Sequence, residues 1–176
     1  MSFLNPESVV KQISFEQGMR VADLGAGTGA FTIPAAKRVG ERGRVYAVDV
    51  NQDLLLAIKS TAMREKLSNI EIIRGDIETP GGTSLADGSV GMAILANVLF
   101  QTEKKEAVTS EIKRILLPRG IVLVVDWKAS FKGLGPRESD VAKEEDVKKL
   151  FLNSGFALYN EIDAGEYHYG LLFNKL

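Results

Sequence analysis

Apolar residues along this chain fall into two alternating rhythms. Short apolar runs at Arg20–Leu24, Arg44–Asp49, Ile70–Arg74, Val90–Ala96 and 121–126 are bounded by Gly, Pro, Asn or Asp and predict strands. Between them, apolar positions recur at every third or fourth residue. Phe31, Ala35 and Val39 form one such set, Leu55, Ile58 and Ala62 a second, Val108, Ile112 and Ile115 a third, and Val147, Leu150 and Phe151 a fourth. Each set is one face of a helix. The punctuation agrees: Asn5 and Pro6 start a short helix reaching about Ile13, Asn51 caps the helix of Leu55, Pro34 sits in the first turn of a helix opened by Phe31, and Gly155 stops a helix that begins near Lys143. Pro118-Arg119-Gly120 reads as a turn into the fifth strand.

Strict alternation of strands and helices predicts an α/β protein with a doubly wound, mainly parallel sheet. The ending departs from that rule. Phe156–Ile162 and 167–174 both read as strands, yet only Asp163-Ala164-Gly165-Glu166 separates them. A parallel crossover needs more chain than that, so the last strand must run antiparallel. The segment 127–142, with Gly133, Gly135 and Pro136, has no period and reads as a long loop. No repeat, low-complexity tract or linker interrupts the pattern, and 176 residues, 45% of them hydrophobic, suffice for one core. Residues 1–176 therefore read as a single domain.

Charge removes some classes of function. A formal net charge of −1 and a pI near 5.9 give no basic surplus for a phosphate backbone, so nucleic acid is not predicted as a partner. With no cysteine there is no disulfide and no thiolate metal site. The N-terminus lacks a basic region followed by an apolar one, and no apolar run approaches the roughly 18 residues of a membrane span. The expectation is a soluble cytoplasmic protein with no membrane partner.

The chemistry concentrates after the first strand, in Asp23-Leu24-Gly25-Ala26-Gly27-Thr28-Gly29. Glycine at every second position lets a ligand lie against the main chain, and the helix behind it offers free amide N–H groups. Asp23 would repel a pyrophosphate but would stabilise an ammonium or sulfonium charge. The stretch resembles the first motif of the class I S-adenosylmethionine-dependent methyltransferases, acidic-x-Gly-x-Gly-x-Gly. Gly25-x-Gly27-x-x-Ala30 also fits the NAD fingerprint, which leaves an NAD(P)-dependent oxidoreductase as the alternative from another enzyme class. Asp23 and the closing hairpin argue against it. The resemblance implies a seven-stranded Rossmann-like sheet whose antiparallel last strand is inserted beside the fifth. It also implies a cofactor site built from Asp23, Gly25, Ala26, Gly27 and Gly29; Asp49 at the end of the second strand, for the ribose hydroxyls; and Asp76 with Ile77, for the adenine. Val50 is placed either on the adenine face or in ordinary core. Ala96 and Asn97 resemble the fourth motif, beside the methionine moiety and the methyl group.

The acceptor is less well marked. The chain lacks the Asn-Pro-Pro-Tyr by which some members present planar amides or adenine amines and the cysteines of arsenite methyltransferases, and it has Ala96 and Asp126-Trp127 where the Mg²⁺-assisted catechol type carries an aspartate and an Asp-Asn pair, so no metal is expected. Its layout most resembles the small-molecule branch that includes the ubiquinone/menaquinone-biosynthesis methyltransferases, which implies a small-molecule acceptor. Residues 1–19 are too few for a helical lid over it, so the site is either open or covered by a second subunit in a homo-oligomer. Trp127, Lys128, Phe131 and Arg137, in the loop leaving the carboxyl edge, are the candidate acceptor contacts. The only histidine, His168, starts the last strand at that same edge between Tyr167 and Tyr169. It is the candidate base, with Tyr167 as its substitute and a purely structural role as the competing reading. A non-catalytic, S-adenosylmethionine-binding regulatory protein is the third reading.

Overall fold

In the computed structural model, which describes residues 3–131 and 133–176, seven strands form one sheet. They are β1 (Arg20–Leu24), β2 (Arg44–Asp49), β3 (Ile70–Arg74), β4 (Val90–Ala96), β5 (Leu116–Trp127), β6 (Phe156–Ile162) and β7 (His168–Lys175). The order is β3-β2-β1-β4-β5-β7-β6. Pairings among β3, β2, β1, β4 and β5 are parallel, and β7 lies antiparallel between β5 and β6. This is the predicted fold, including the inserted last strand.

Strand parity decides which helices cover which face. Val21, Val45, Met92, Ile94, Leu123, Val125 and Leu172 share one core with α1 (Pro6–Lys11) and α2 (Thr32–Val39). Ala47 on that parity packs on α3 (Gln52–Arg64) through Leu55 and Ile58. Residues of the opposite parity, among them Leu24, Val48, Leu95, Val124 and Phe173, meet α4 (Lys105–Ile115) and α5 (Glu144–Asn153) through Ile112, Ile115, Val147 and Phe151. Burying both faces is what lets β4 and β5 be apolar nearly throughout.

Local chemistry sets the helix ends. Asn5 accepts a hydrogen bond from the Ser8 amide, and Asn51 accepts from Asp53 and Leu54. The first helix stops at Lys11, short of Ile13. Phe31 is the cap residue of α2 rather than its first turn.

Three expectations need correcting. Leu116–Trp127 is one continuous strand, so Pro118-Arg119-Gly120 does not precede it as a turn. These residues bulge out of register instead, between the pairs Val90–Leu116 and Met92–Ile121, with Arg119 at φ +62. The loop after β5 consequently begins at Lys128, and β7 begins at His168 rather than Tyr167.

Glu111 and Arg114 of α4 hold much of the long connection from β3 to β4. Glu111, buried on α4, accepts from the amides of Gly81 and Thr83, from the Thr83 hydroxyl, and from the Arg114 guanidinium, which also pairs with Asp87. These donors overcome the cost of burial and hold the Glu111 carboxyl down at about 2.

Candidate functional site

β1, β2, β3 and β4 end on one edge of the sheet, and the loops leaving them surround a cleft of about 520 Å³. All the predicted cofactor residues line it except Gly29. The glycines have separate jobs. At Gly25 (φ +71) a Cβ would stand 2.5 Å from Val98 Cγ2, and at Gly29 (φ +82) it would stand 2.9 Å from Ile58 Cγ1, so these two allow close packing. At Gly27 (φ +53) an added Cβ would meet only the Gly25 carbonyl, at 3.9 Å; it would project into open space. Gly27 is therefore the glycine that keeps room for a ligand.

The loop is tied to β2. Gly25 and Ala26 both donate to the Val48 carbonyl, and Gly27 donates to Asp49 Oδ2 at 2.9 Å. Asp49 Oδ1 accepts from the Asn51 amide at 2.9 Å. Each carboxylate oxygen keeps a free acceptor site, so Asp49 can position the glycine loop and still receive two hydroxyls. Asp76 turns its own loop, accepting from the Glu78 amide and the Thr79 hydroxyl. Val50 is 61% exposed and lines the cleft, which makes it a surface a flat ring can cover rather than core.

Asp23 is the buried acid of the site. It accepts from the Thr32 hydroxyl, and α2 supplies that partner. Burial pushes its carboxyl up to about 6; the Thr32 hydrogen bond opposes the shift and the Asp49 charge adds to it. Across the cleft, Asn97 adopts φ +57 and its buried Oδ1 has no partner among the described residues. A second buried carboxylate, Asp126, lies just beyond. It accepts from the Trp127 and Phe100 amides and so holds the single turn of 3-10 helix at Leu99–Gln101 that carries Gln101 to the cleft wall. Burial raises it too, to about 6.

Several lining residues carry no signal in the sequence. Leu4 and Pro6 reach the cleft because Gln12 exchanges two hydrogen bonds with the backbone of Asp163, fastening α1 to the β6–β7 hairpin. Glu78 lines it while accepting from the Glu103 and Lys104 amides at the start of α4. Only the three-dimensional neighbourhood reveals either role.

The candidate acceptor and base residues assemble elsewhere on the edge. Trp127 and His168 are register partners with rings 4.2 Å apart, Phe131 packs edge-on against Tyr167 at 4.7 Å, and Lys128 donates to the Gly165 carbonyl. Arg137 pairs with Asp140 in solvent. None of the six lines the cleft. His168 is 3% exposed and faces the α1 and α2 side; neither ring nitrogen has a partner among the described residues, and burial with nearby Lys128 depresses it to about 4.

Residues 15–168 match the model of a family described as a methyltransferase domain. The chain belongs to the class I S-adenosylmethionine-dependent methyltransferases. Among curated methyltransferases it is 27% identical over 154 residues to the ubiquinone/menaquinone biosynthesis C-methyltransferase UbiE of Shewanella frigidimarina, an alignment covering 85% of this chain and 57% of that protein. The chain thus spans little more than half the length of such relatives. A solved S-adenosylmethionine-dependent methyltransferase from Aquifex aeolicus superposes with a TM-score of 0.88 at 25% identity, over 99% of this chain and 91% of that one. The [4+2]-cyclase SpnF superposes with a TM-score of 0.80 at 15% identity, over 97% and 80%, a likeness of fold alone. Among the described residues, no helix is long and apolar enough to cross a membrane.

Proposed function

We propose that the chain is a single-domain, cytoplasmic enzyme that transfers the methyl group of S-adenosylmethionine to a small-molecule acceptor. The observation that carries this reading is the cleft itself. Acids at the ends of β1 and β2 and just past β3 face a glycine loop with open space above Gly27, and the unpartnered Asn97 Oδ1 lies on the opposite wall. That set of acceptors suits a nucleoside carrying a positively charged amino-acid tail. Asp49 would hold the ribose hydroxyls, Asp76 and the Ile77 backbone the adenine, Val50 its face, Asp23 the cationic end, and Gly25, Ala26 and Gly27 the main-chain contacts, with Ala96 and Asn97 beside the methyl.

When bound, S-adenosylmethionine supplies an activated methyl for in-line displacement. The chain's own contribution is placement. The Asp49–Gly27 bond fixes the loop on one side, and the Asp126-held turn fixes the other, so the reacting atoms meet in a preset geometry, an effect worth about 7–11 kcal/mol where alignment is good. Leu4, Pro6 and Phe31 give part of the cleft an apolar lining on which the carbon skeleton of a small acceptor could rest. Trp127, Lys128, Phe131, Tyr167 and His168 take no part in this cleft: their rings pack on one another and Lys128 is held by the Gly165 carbonyl.

Titration calorimetry with S-adenosylhomocysteine and with NAD tests the cofactor, and release of S-adenosylhomocysteine over a panel of small acceptors tests the reaction. Binding of NAD in place of S-adenosylhomocysteine would overturn the reading. Binding without turnover on any acceptor would favour the regulatory alternative.

A further inference from the structure

The turn after β4 brings two side-chain amides to one wall of the cleft, Asn97 and Gln101. Asn97, at φ +57, is tied to β5 by its own N–H, which donates to the Val125 carbonyl at 2.8 Å, while its buried Oδ1 has no partner among the described residues. Gln101 Nε2 donates to the Asn97 carbonyl at 3.2 Å, which commits the nitrogen of that amide and leaves Oε1 without a partner among the described residues. The turn between them is held by the Phe100 amide on Asp126 and the Gln101 amide on the Val98 carbonyl. Two acceptor oxygens thus stand preset and unsatisfied. A buried acceptor without a donor is costly, and a ligand's N–H or O–H relieves that cost. No cation serves this wall. Among the described residues lining the cleft there is no Lys, Arg or His; Lys105 donates to the Thr102 carbonyl at 2.7 Å, and Lys37 pairs with Glu65 at 2.6 Å. An anionic group seated here would exchange its water for neutral partners only.

We propose that Asn97 and Gln101 select the acceptor, and that it is an uncharged molecule donating an N–H or O–H hydrogen bond to this pair of amide oxygens. This rests on the methyltransferase reading, which sets Asn97 beside the methyl. The two amides then read the groups next to the atom that is methylated, while the carbon skeleton lies on the apolar lining of Leu4, Pro6 and Phe31. Neither amide takes up a proton, so the wall orients the acceptor without acting as its base. A carboxylate or phosphate finds no countercharge here. A neutral molecule without a donor leaves both oxygens unsatisfied.

The test uses the intact chain saturated with S-adenosylhomocysteine and three probes on one skeleton, benzyl alcohol, benzyl methyl ether and benzoate, whose affinities are read by ligand-observed NMR. The alcohol should bind roughly fivefold tighter than either of the others, the size expected of one or two hydrogen bonds. In Gln101→Leu the alcohol should lose most of that advantage while the ether does not weaken. A merely structural role for Gln101 would weaken alcohol and ether alike, and that outcome overturns the inference. So does an alcohol that fails to bind, or that binds the parent no better than the ether or benzoate, and in each of these cases the methyltransferase reading stands. Failure of S-adenosylhomocysteine itself to bind, measured beforehand by calorimetry, overturns both.

Discussion

Two stretches of the same sheet edge are built in opposite ways. Where β1, β2, β3 and β4 end, carboxylates and main-chain groups hold neighbouring loops apart by hydrogen bonds, such as Gly27 to Asp49 and Glu103 to Glu78, and a cleft stays open between them. Where β5 ends and β7 begins, rings close the edge: Trp127 on His168, and Phe131 and Phe3 on Tyr167. Gly135 lies so close to Trp127 that a Cβ there would stand 2.6 Å from the ring. One edge topology therefore yields either a ligand site or a packed end. The choice lies in whether the loops are spaced by directional bonds or drawn together by apolar contact.

Four substitutions break or sharpen that contrast. The largest effect is expected from Gly27→Val, which fills the open space and forces a β-branched residue to φ +53. Calorimetry should show S-adenosylhomocysteine binding weakened by about 100-fold or more, the equivalent of ~2.7 kcal/mol. A variant that folds and binds normally would make the loop structural only. Next comes Asp49→Ala, which removes the acceptor for Gly27 and Asn51 together with the proposed ribose contacts. A loss of roughly 1.5–3 kcal/mol in binding is expected from the same titration.

Asp23→Asn should act on stability in the opposite sense to its effect on binding. The folded-state value near 6 lies above the ordinary 3.8, so the native state holds the proton more tightly than the unfolded chain. The stability this contributes is present in full below pH 3.8 and is lost as pH rises through 6. The asparagine cannot ionise and escapes that loss. Thermal melts without ligand should find the variant more stable than the parent at pH 8, by up to about 3 kcal/mol at 1.36 kcal/mol per pH unit, with the difference vanishing at pH 4. Parallel curves across that range would remove Asp23 as the source of the pH dependence.

The smallest effect on binding is expected at the aromatic end. His168→Phe keeps a ring on Trp127 and should change S-adenosylhomocysteine affinity by no more than about twofold, because His168 lines no part of the cleft. Its mark should appear in acid. With a folded value near 4 against an ordinary 6.5, the histidine contributes stability above pH 6.5 that is lost as pH falls toward 4, and the phenylalanine variant should lack that slope in melts. A tenfold loss of affinity would join the two ends into one site.

The sequence was legible where its signals are local. Strand and helix periods, the Asn5 and Asn51 caps, and acids two residues before a glycine or at a strand's end each declare themselves within a few positions and give the α/β class, while the place of the last strand and the residues of the open half of the edge came from the family resemblance. The hairpin length alone fixed the reversed strand. What could not be read depends on side chains meeting across the fold. Pro118-Arg119-Gly120 looks like a turn because a bulge uses the same residues, and only the pairing of Val90 and Met92 on the neighbouring strand distinguishes them. Likewise His168 shares an edge with the cleft by topology, while parity turns it toward α1 and burial closes it off.

The Glu111 hub bears on the order in which this protein becomes competent as it is made. The loop that carries Asp76 and Ile77 belongs to the first half of the chain, yet Gly81 and Thr83 wait for a carboxylate that leaves the ribosome some 30 residues later. The glycine loop needs only Asp49, 22 residues on from Gly27. The partner of Gly27 therefore lies earlier in the chain than the partner of Gly81 and Thr83, which comes only with α4. S-adenosylhomocysteine offered to a chain truncated before α4 should bind more weakly than to the whole chain.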